Sequence, residues 1–456
     1  MGAIDGGRRV DGSGEAPGVS PAADALAEAA RFPALQAIAS RRARRFPLGG
    51  EVTGPLAYRS AARPVPLLAV EEAVLVASAT GITGVARDEW PFLDAAGDPT
   101  GGDKLASFTG RSYPSPLANH STELFWTNDD GVFVLPQRDR RPCSYVENQT
   151  PTDQARLHGQ AIRLADGRLD VPRRRPNLFA FNQQLANPPG STLFIPISDV
   201  TRQCISAMLL YFDRPHGFYI VDRRLDADPL RSFVRSGLLD PAHPVDLADF
   251  ERWQVTDALG VESGLLVQNL LIATQALGLG GFPFSGGKGR VVMGGERQLR
   301  AVGGSGPAGS LGFRFHRVPD DGPVGAGEEV PVGLDGVFEG ACPPYHASMD
   351  DAVDFVVGLR WGTAGTFTAD EGTPWTDPDI IRRVPRPSAE AIACTKALCR
   401  HIWESYGRFP ATVDAFGTTV WYQAHHLDLG FYDRFYPPAA VPEHIRSHLD
   451  RWHSFA

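Results

Sequence analysis

A long apolar segment near the middle of the chain restricts the possible folds more than any other feature. Between Glu262 and Leu279 the apolar residues recur at helical spacing and cover most of the helix circumference. A helix at a protein surface keeps a polar face, so a helix that is apolar on nearly every side is expected to be buried in a core or an interface. Gly280 and Gly281 are predicted to end it.

Other segments carry clear signals for the start, end or interruption of a helix. Helical periodicity runs from Ala23 to Arg45, and Pro33 inside this segment predicts a break into two helices. A later helix is predicted from Pro387 to Tyr406, with Ser388 as its N-cap. The remaining predictions are helices at Val70 to Ala79 and Asp246 to Leu259, a hairpin at Leu124 to Leu135, strands at Thr192 to Ile197, Ser206 to Phe212, Phe218 to Val221 and Leu311 to Val318, and a short amphipathic or strand-like run at Ala352 to Leu359.

These elements alternate without a regular βαβ rhythm, which favours an α+β fold over a doubly wound parallel sheet. The N-terminal residues 1–22 are rich in Gly, Ala and Pro and lack the apolar centre of a signal peptide. We interpret them as a disordered leader of a cytoplasmic protein. No apolar run approaches the ~20 residues needed to span a bilayer, so no membrane partner is expected.

The formal net charge of −9 argues against nucleic acid as the main partner, because phosphate binding requires a basic surface. The arginines are nevertheless clustered early in the chain, at Arg41, Arg42, Arg44 and Arg45. Guanidinium groups at this density repel one another unless water or an anion satisfies them, and their planar fork suits a phosphate. From its charge alone, this arginine cluster can be interpreted either as a solvated basic surface or as an anion-binding site.

Four separated blocks, taken in order, resemble the FMN-dependent nitroreductase-like superfamily. They are Arg-Arg-x-Arg-Arg-Phe at 41–46, Gly-Arg-Ser-Tyr-Pro-Ser at 110–115, Gln-Asn-Leu leading to Leu-Gly-Leu-Gly at 268–280, and Arg-Arg-Val-Pro at 382–385. The segment 114–125, Pro-Ser followed by Glu-Leu-Phe, further resembles the azoline-oxidase branch, whose members dehydrogenate thiazoline and oxazoline rings in peptide natural products.

The resemblance implies a set of FMN-binding residues. Its early block would hold the phosphate and the pyrimidine edge of the flavin, its second block would lie at the ring, and the turn after the core helix would offer backbone N–H groups to flavin N5. The late arginines would close over the phosphate. The implied residues are Arg41, Arg42, Arg44, Pro114, Ser115, Asn119, Ser285, Gly286, Arg382 and Arg383. The sequence departs from the family at Ser40, Arg42 and Leu117, where Arg, Ser and Gly are usual.

The resemblance also implies a nitroreductase-like α+β fold with a mixed, mostly antiparallel sheet flanked by helices. Relatives are intertwined homodimers that bind FMN between subunits. On that comparison residues 23–456 form one domain with insertions at about 136–259 and 290–348. The implied reaction is hydride exchange at flavin N5, either dehydrogenating a natural-product-like or peptide-derived substrate or reducing a substrate with NAD(P)H. A flavin-binding protein without catalysis stays open as an alternative.

One histidine-containing segment, Gln423 to Asp428, is a weaker candidate for metal binding or proton transfer. Adjacent histidines on a helix point about 100° apart, so His425 and His426 are not expected to share an ion. We therefore interpret them as structural or substrate-pocket residues and predict no metal site.

Overall fold

The computed structural model of the protein describes residues 21–86, 93–98, 108–116, 118–285, 287–295, 309–368 and 373–453. Its α-helices are α1 (Pro21–Ala30), α2 (Ala34–Ser40), α3 (Ala69–Thr80), α4 (Pro151–His158), α5 (Ala180–Gln183), α6 (Val200–Tyr211), α7 (Arg231–Arg235), α8 (Leu247–Asp249), α9 (Asp257–Leu277), α10 (Gly289–Met293), α11 (Met349–Trp361), α12 (Ala389–Tyr406), α13 (Leu429–Phe435), α14 (Glu443–Arg446) and α15 (His448–Trp452). A π-helical turn covers Phe250–Thr256, and 3₁₀ turns cover Pro378–Arg383 and Pro438–Ala440.

The strands are β1 (Glu51–Val52), β2 (Tyr58–Arg59), β3 (Ile82–Val85), β4 (Thr109–Arg111), β5 (Thr122–Thr127), β6 (Gly131–Leu135), β7 (Ile162–Asp166), β8 (Thr192–Asp199), β9 (Tyr219–Val221), β10 (Pro244–Asp246), β11 (Gly280–Phe284), β12 (Arg314–Arg317), β13 (Glu329–Leu334), β14 (Phe338–Glu339), β15 (Phe416–Gly417) and β16 (Trp421–His425).

A seven-stranded antiparallel sheet organises the fold, with the order β11-β16-β8-β5-β6-β7 and with β15 also paired to β8. Strand β8 lies centrally, between β5 and β16, and all of its residues are buried. Within the described part of the chain only the pair β9–β10 is parallel. The predicted α+β class with a mostly antiparallel sheet is therefore confirmed, whereas the nitroreductase-like topology stays a prediction.

The predicted core helix is present as α9, which packs against α3 and against the strands β5, β8 and β16. Leu266, Leu270 and Leu277 are buried in one apolar cluster with residues of that sheet face. The helix ends at Gly278, whose φ of 84° is the left-handed conformation that glycine adopts at a C-cap. Gly280 and Gly281, predicted as the stop, instead begin β11. By length and composition the continuous helical stretch Leu247–Leu277 would also qualify as a membrane span, a test that buried core helices pass equally.

Several local predictions are confirmed. Pro33 separates α1 from α2 and is the N-cap residue of α2. Ser388 caps α12, since its side chain accepts a hydrogen bond of 3.1 Å from the backbone N–H of Ala391. The predicted hairpin is formed by β5 and β6.

The strand predicted at Ser206 to Phe212 is wrong, because this segment belongs to helix α6. Asp199 begins that helix by accepting hydrogen bonds from the backbone N–H groups of Thr201 and Arg202. Residues 203–209 are all buried, so their burial does not show a periodicity that would have distinguished this helix from a buried strand. The run Ala352 to Leu359, left ambiguous by sequence, is likewise helical within α11.

The two predicted insertions contribute to the packed body of the protein. Segment 136–259 supplies β7 and the central strand β8, so it is part of the main sheet. Segment 290–348 forms the small sheet β12-β13-β14, and its residues Phe313 and Phe338 contact Phe125 of the main sheet. The predicted leader, residues 1–22, falls almost entirely outside the described residues.

Candidate functional site

The early arginine segment follows the end of α2 and lies beside strand β11. The backbone N–H of Arg44 donates a hydrogen bond of 3.2 Å to the carbonyl oxygen of Gly281, an antiparallel bridge between the two segments. The helix predicted to reach Arg45 therefore ends at Ser40, and the four arginines lie in an extended segment after it. They are held next to the strand that follows the core helix.

Arg44 is buried inside this arrangement, with only 4% of its surface exposed. Its guanidinium donates to Oε1 of Gln275 at 3.2 Å and to the carbonyl oxygen of Ala440 at 3.1 Å. Burial, assisted by the charge of Arg42, lowers the pKa of Arg44 below its ordinary value. The backbone bond to Gly281 holds Arg44 beside β11, and the two side-chain bonds fix its guanidinium. The contact of Arg44 with the flavin stays a prediction.

Arg45 connects the same segment to the end of β11. Its Nη2 donates to Oδ1 of Asn182 at 2.8 Å, and Nδ2 of Asn182 in turn donates to the carbonyl oxygen of Ser285 at 3.4 Å. The guanidinium also lies 4.5 Å from the ring centroid of Phe282. The structure thus brings the early arginines and Ser285 into one neighbourhood. Gly286, predicted with Ser285, lies outside the described residues.

Arg41 and Arg42 have different surroundings from Arg44 and Arg45. Arg42 is exposed, and its Nη1 donates to the backbone carbonyl oxygen of Arg41 at 2.7 Å. Arg41 is partly exposed. These two guanidiniums are placed at the surface end of the segment, where a bound anion can reach them.

The Pro-Ser block lies at the opposite end of α9. The backbone N–H of Ser121 and the hydroxyl of Thr122 both donate to the carboxylate of Glu262, at 3.2 and 2.7 Å. Asn119 accepts from Nη2 of Arg360 at 2.9 Å, and its backbone N–H donates to Oγ of Ser115 at 3.4 Å.

Glu262 and Gln275 are separated by about 20 Å along the helix, at 1.5 Å of rise per residue. One chain therefore does not place Ser115 and Asn119 beside Arg44.

A basic cavity of about 460 Å³ opens next to Asn119. Its size falls in the range usual for small-molecule sites. Arg202 pairs with Asp139 at 2.6 Å, and Arg138 pairs with Asp199 at 2.5 Å. The arginines that line the cavity are Arg138, Arg140, Arg141, Arg202 and Arg360. Because the lining holds five guanidiniums and one carboxylate, that of Asp139, the cavity carries an excess of positive charge that suits an anionic group.

The late arginines line a second cavity, of about 540 Å³, together with Trp361 and Phe367. Arg382 pairs with Asp379 at 2.5 Å. Trp361 directly follows Arg360 of the basic cavity, so the end of α11 contributes a side chain to each of the two cavities. The late pair is thus connected through α11 and Arg360 to Asn119 of the Pro-Ser block. The predicted grouping of the late and early arginines on one phosphate stays a prediction.

A further cluster combines Glu71, His426, His448 and His453. One potential ligand atom from each of these residues lies within 4.8 Å of the others. Sequence reasoning missed this cluster because it treated His425 and His426 as neighbours on a helix. His425 instead ends strand β16, where successive side chains point to opposite faces, so only His426 reaches the cluster. Asp428, the third residue of that motif, caps α13 by accepting from the backbone N–H of Phe431.

No protein-family model matches this chain, and no curated protein does. Among solved structures, a protein of Ralstonia eutropha JMP134 that is provisionally named a nitroreductase aligns with 66% of this chain and 88% of its own. The two are 12% identical, with a TM-score of 0.25. A score this low does not establish a shared fold, so function has to be argued from the residues of this chain.

Proposed function

We propose that this protein is an FMN-dependent oxidoreductase whose flavin lies against the early arginine segment and the end of β11. The observation that supports this most strongly is the hydrogen bond from the backbone N–H of Arg44 to Gly281. It joins two segments, remote in sequence, that the resemblance to nitroreductase-like flavoproteins assigns to the phosphate and to the N5 edge of one flavin.

The residues of this segment fit an anionic cofactor with a polar ring edge. Arg41 and Arg42 are accessible and would hold the phosphate. Arg44 is a fixed cation beneath them, where it would stabilise negative charge on the reduced ring. When bound, FMN supplies the hydride acceptor and donor at N5, and the protein supplies its position and its electrostatic surroundings.

The distance along α9 supports a site shared between two copies of the chain. Since Ser115 and Asn119 lie far from Arg44 in one chain, a flavin at the early arginines would meet Ser115 and Asn119 of the partner subunit in a homodimer. Exposed apolar side chains beside the arginine segment are consistent with such an interface, because Leu35 is 81% and Phe181 67% exposed.

The basic cavity supports an anionic substrate or electron donor. Asn119 lies on its wall, so in the proposed homodimer the cavity would open toward the flavin of the other subunit. A peptide-derived substrate with a carboxylate and the pyrophosphate of NAD(P)H both meet this requirement. The reductive and the dehydrogenating reactions predicted from sequence are thus both compatible with the cavity.

The first experiment is an absorbance spectrum of the purified full chain with and without added FMN. We expect bound flavin, with its two bands in the visible and near-ultraviolet, and a loss of FMN affinity of at least about tenfold in the double variant Arg41→Ala/Arg42→Ala. The matched control is Arg59→Ala, since Arg59 is also exposed and pairs with Glu51 at the surface. A colourless protein that does not bind added FMN, or a double variant with unchanged affinity, contradicts the proposal.

A second experiment identifies the reaction. The flavin-loaded protein is mixed anaerobically with NADH, NADPH or dithionite, and the visible bands are followed. Bleaching by NADH or NADPH indicates a reductase. Bleaching by dithionite alone argues against NAD(P)H as the electron donor and fits both a dehydrogenase and a flavin-binding protein without catalysis. Anaerobic bleaching by an added azoline-containing peptide would then identify the dehydrogenase.

A further inference from the structure

We propose that Glu71, His426, His448 and His453 bind one zinc ion in a closed, structural site. The four residues come from separate parts of the chain: helix α3, the residue after β16, the first residue of α15, and the residue after α15. Glu71 and His426 are fully buried, and the side chains of His448 and His453 are 4% and 10% exposed. The site therefore lies inside the protein.

The spacing of the donor atoms is close to that of a coordination shell. Oxygen atoms of Glu71 lie 2.8, 3.6 and 3.9 Å from Nε2 of His448, His426 and His453. Nε2 of His426 also lies 3.3 Å from the carbonyl oxygen of Pro66, which can only accept, so this ring offers its lone pair at Nδ1, an atom without a hydrogen-bond partner among the described residues. With zinc–ligand bonds of about 2.0–2.1 Å, neighbouring donors of a tetrahedral site are about 3.3 Å apart. The Glu71 contacts differ from this spacing by about 0.6 Å or less, and the widest donor pair, within 4.8 Å, would close by up to about 1.5 Å on binding the ion.

The hydrogen bond made by His448 gives the strongest reason to place a cation among these residues. Its Nδ1 lies 2.8 Å from the carbonyl oxygen of Leu277, which can only accept, so Nδ1 carries the proton. In the neutral ring Nε2 then presents a lone pair toward Oε1 of Glu71, and neither atom has a hydrogen-bond partner among the described residues. Two such lone pairs repel each other unless a cation lies between them.

Extra protons on the imidazoles are the alternative to a metal ion. One proton on Nε2 of His448 would pair with the carboxylate of Glu71, but it would leave Nδ1 of His426 without a hydrogen-bond partner among the described residues. A second imidazolium at His426 would be repelled by the first, because the two ring centroids are 5.2 Å apart in a buried site. A divalent ion satisfies all donors at once and keeps the rings neutral. The bond from His448 to Leu277 is also the outer contact that usually orients a metal-binding histidine.

Three imidazole nitrogens and one carboxylate oxygen are a ligand set that zinc accepts in tetrahedral geometry. Four protein ligands in a buried position leave no coordination site for a substrate, so the ion is structural rather than catalytic. It would fasten the segment 443–453 to α3 and, through His448, to the end of α9.

The test is the metal content of the full chain purified from zinc-supplemented cells. We expect about one zinc ion per chain, and a zinc content at least about tenfold lower in His453→Gln, where one ligand is lost. The matched control is His444→Gln. His444 is a partly buried histidine of the same segment whose Nε2 lies 3.0 Å from the carbonyl oxygen of Gln275, and it is expected to leave the zinc content unchanged.

Two measurements on the unmodified chain do not depend on a variant that folds. Cobalt(II) loaded in place of zinc should give the visible absorption of a tetrahedral site, and a strong chelator should lower the thermal unfolding temperature. The proposal is overturned if the metal-replete chain contains no zinc and its unfolding temperature ignores both zinc and chelator. Equal zinc content in His453→Gln and wild type, as adventitious surface binding would give, also overturns it. None of these readouts depends on FMN.

Discussion

The four early arginines divide into two pairs with different surroundings. Arg44 and Arg45 are tied to other parts of the chain, through Gln275, Ala440 and Asn182. Replacing a buried guanidinium leaves its acceptors without donors and destabilises the fold. Arg44→Ala is therefore a poor probe of cofactor binding. The accessible pair Arg41 and Arg42 separates the loss of cofactor from the loss of fold.

His120 makes a prediction about pH at the residue scale. Burial, reinforced by the charge of Arg111, lowers the pKa of His120 from 6.5 to about 3, while the carbonyl oxygen of Tyr113 opposes this shift. The unfolded chain then binds a proton below pH 6.5 that the folded protein refuses until about pH 3. Stability from this residue is complete above pH 6.5 and falls as the pH is lowered toward 3.

The variant His120→Asn removes this titration and suits the left-handed backbone at this position, where φ is 48°. We expect the stability of wild type relative to the variant to fall by roughly 2–3 kcal/mol between pH 7 and pH 4. Urea unfolding at both pH values measures it. A stability difference that does not change with pH would show that the pKa of His120 is the same in the folded and unfolded chains, and would contradict its lowering by burial.

Elements with local signals were predictable from sequence, and those fixed by long-range packing were not. Pro33 and the cap Ser388 act within a few residues of themselves, and both predictions are confirmed. Helix α6 was mistaken for a strand because its apolar residues are continuous, and its start depends on Asp199 at the end of β8. The apolar periodicity of α9 correctly predicted a core helix. The residue at which the helix ends was not predictable, because it depends on the left-handed backbone conformation of Gly278.

Gly278 allows a prediction at the scale of the element. A Cβ at this position would lie 2.8 Å from the carbonyl oxygen of His444, and φ is 84°. We expect Gly278→Ala to destabilise the protein by roughly 2 kcal/mol, because a side chain is strained in this conformation and the neighbour is backbone. Thermal or urea unfolding measures the loss.

Gly264 is the matched control within the same helix. A Cβ there meets nothing within 4 Å. Gly264→Ala is expected to stabilise the helix by about 0.5–1 kcal/mol, since alanine loses less backbone entropy. Equal effects of the two substitutions would mean that the left-handed cap does not limit stability.

The candidate sites depend on residues that meet only in the folded molecule. The sequence motifs identified candidate flavin-binding residues but did not predict which of them lie close together in one chain. Asn119 and Arg44, for example, lie at opposite ends of α9. The zinc cluster was not predictable, because Glu71 and His453 are distant in sequence and no motif links them. Of the four cluster residues, only His426 was a candidate from sequence. Its assignment to a helix was wrong and gave no indication of its three partners.

The proposed homodimer predicts complementation between two inactive variants. One carries Arg41→Ala/Arg42→Ala and the other carries Asn119→Ala, so each keeps the half of the site that the other lacks. Random reassociation of equal amounts should restore about a quarter of the sites, because half of the dimers are mixed and each has one intact site. FMN occupancy and flavin reduction measure the recovery.

Size-exclusion chromatography with light scattering is the control for this experiment. A monomer at micromolar concentration, or a mixture that binds no more FMN than the mean of its components, would contradict a flavin site shared between Arg41 and Arg42 of one subunit and Asn119 of the other.

The position of β16 in the sheet has a consequence for biosynthesis. This strand, at 421–425, lies between β8 and β11, which precede it by far in the chain. On the ribosome, β8 and β11 emerge with open edges that only the much later strand β16 can cover. The sheet cannot close until residues 421–425 have emerged, and until then the nascent chain exposes surfaces that chaperones bind.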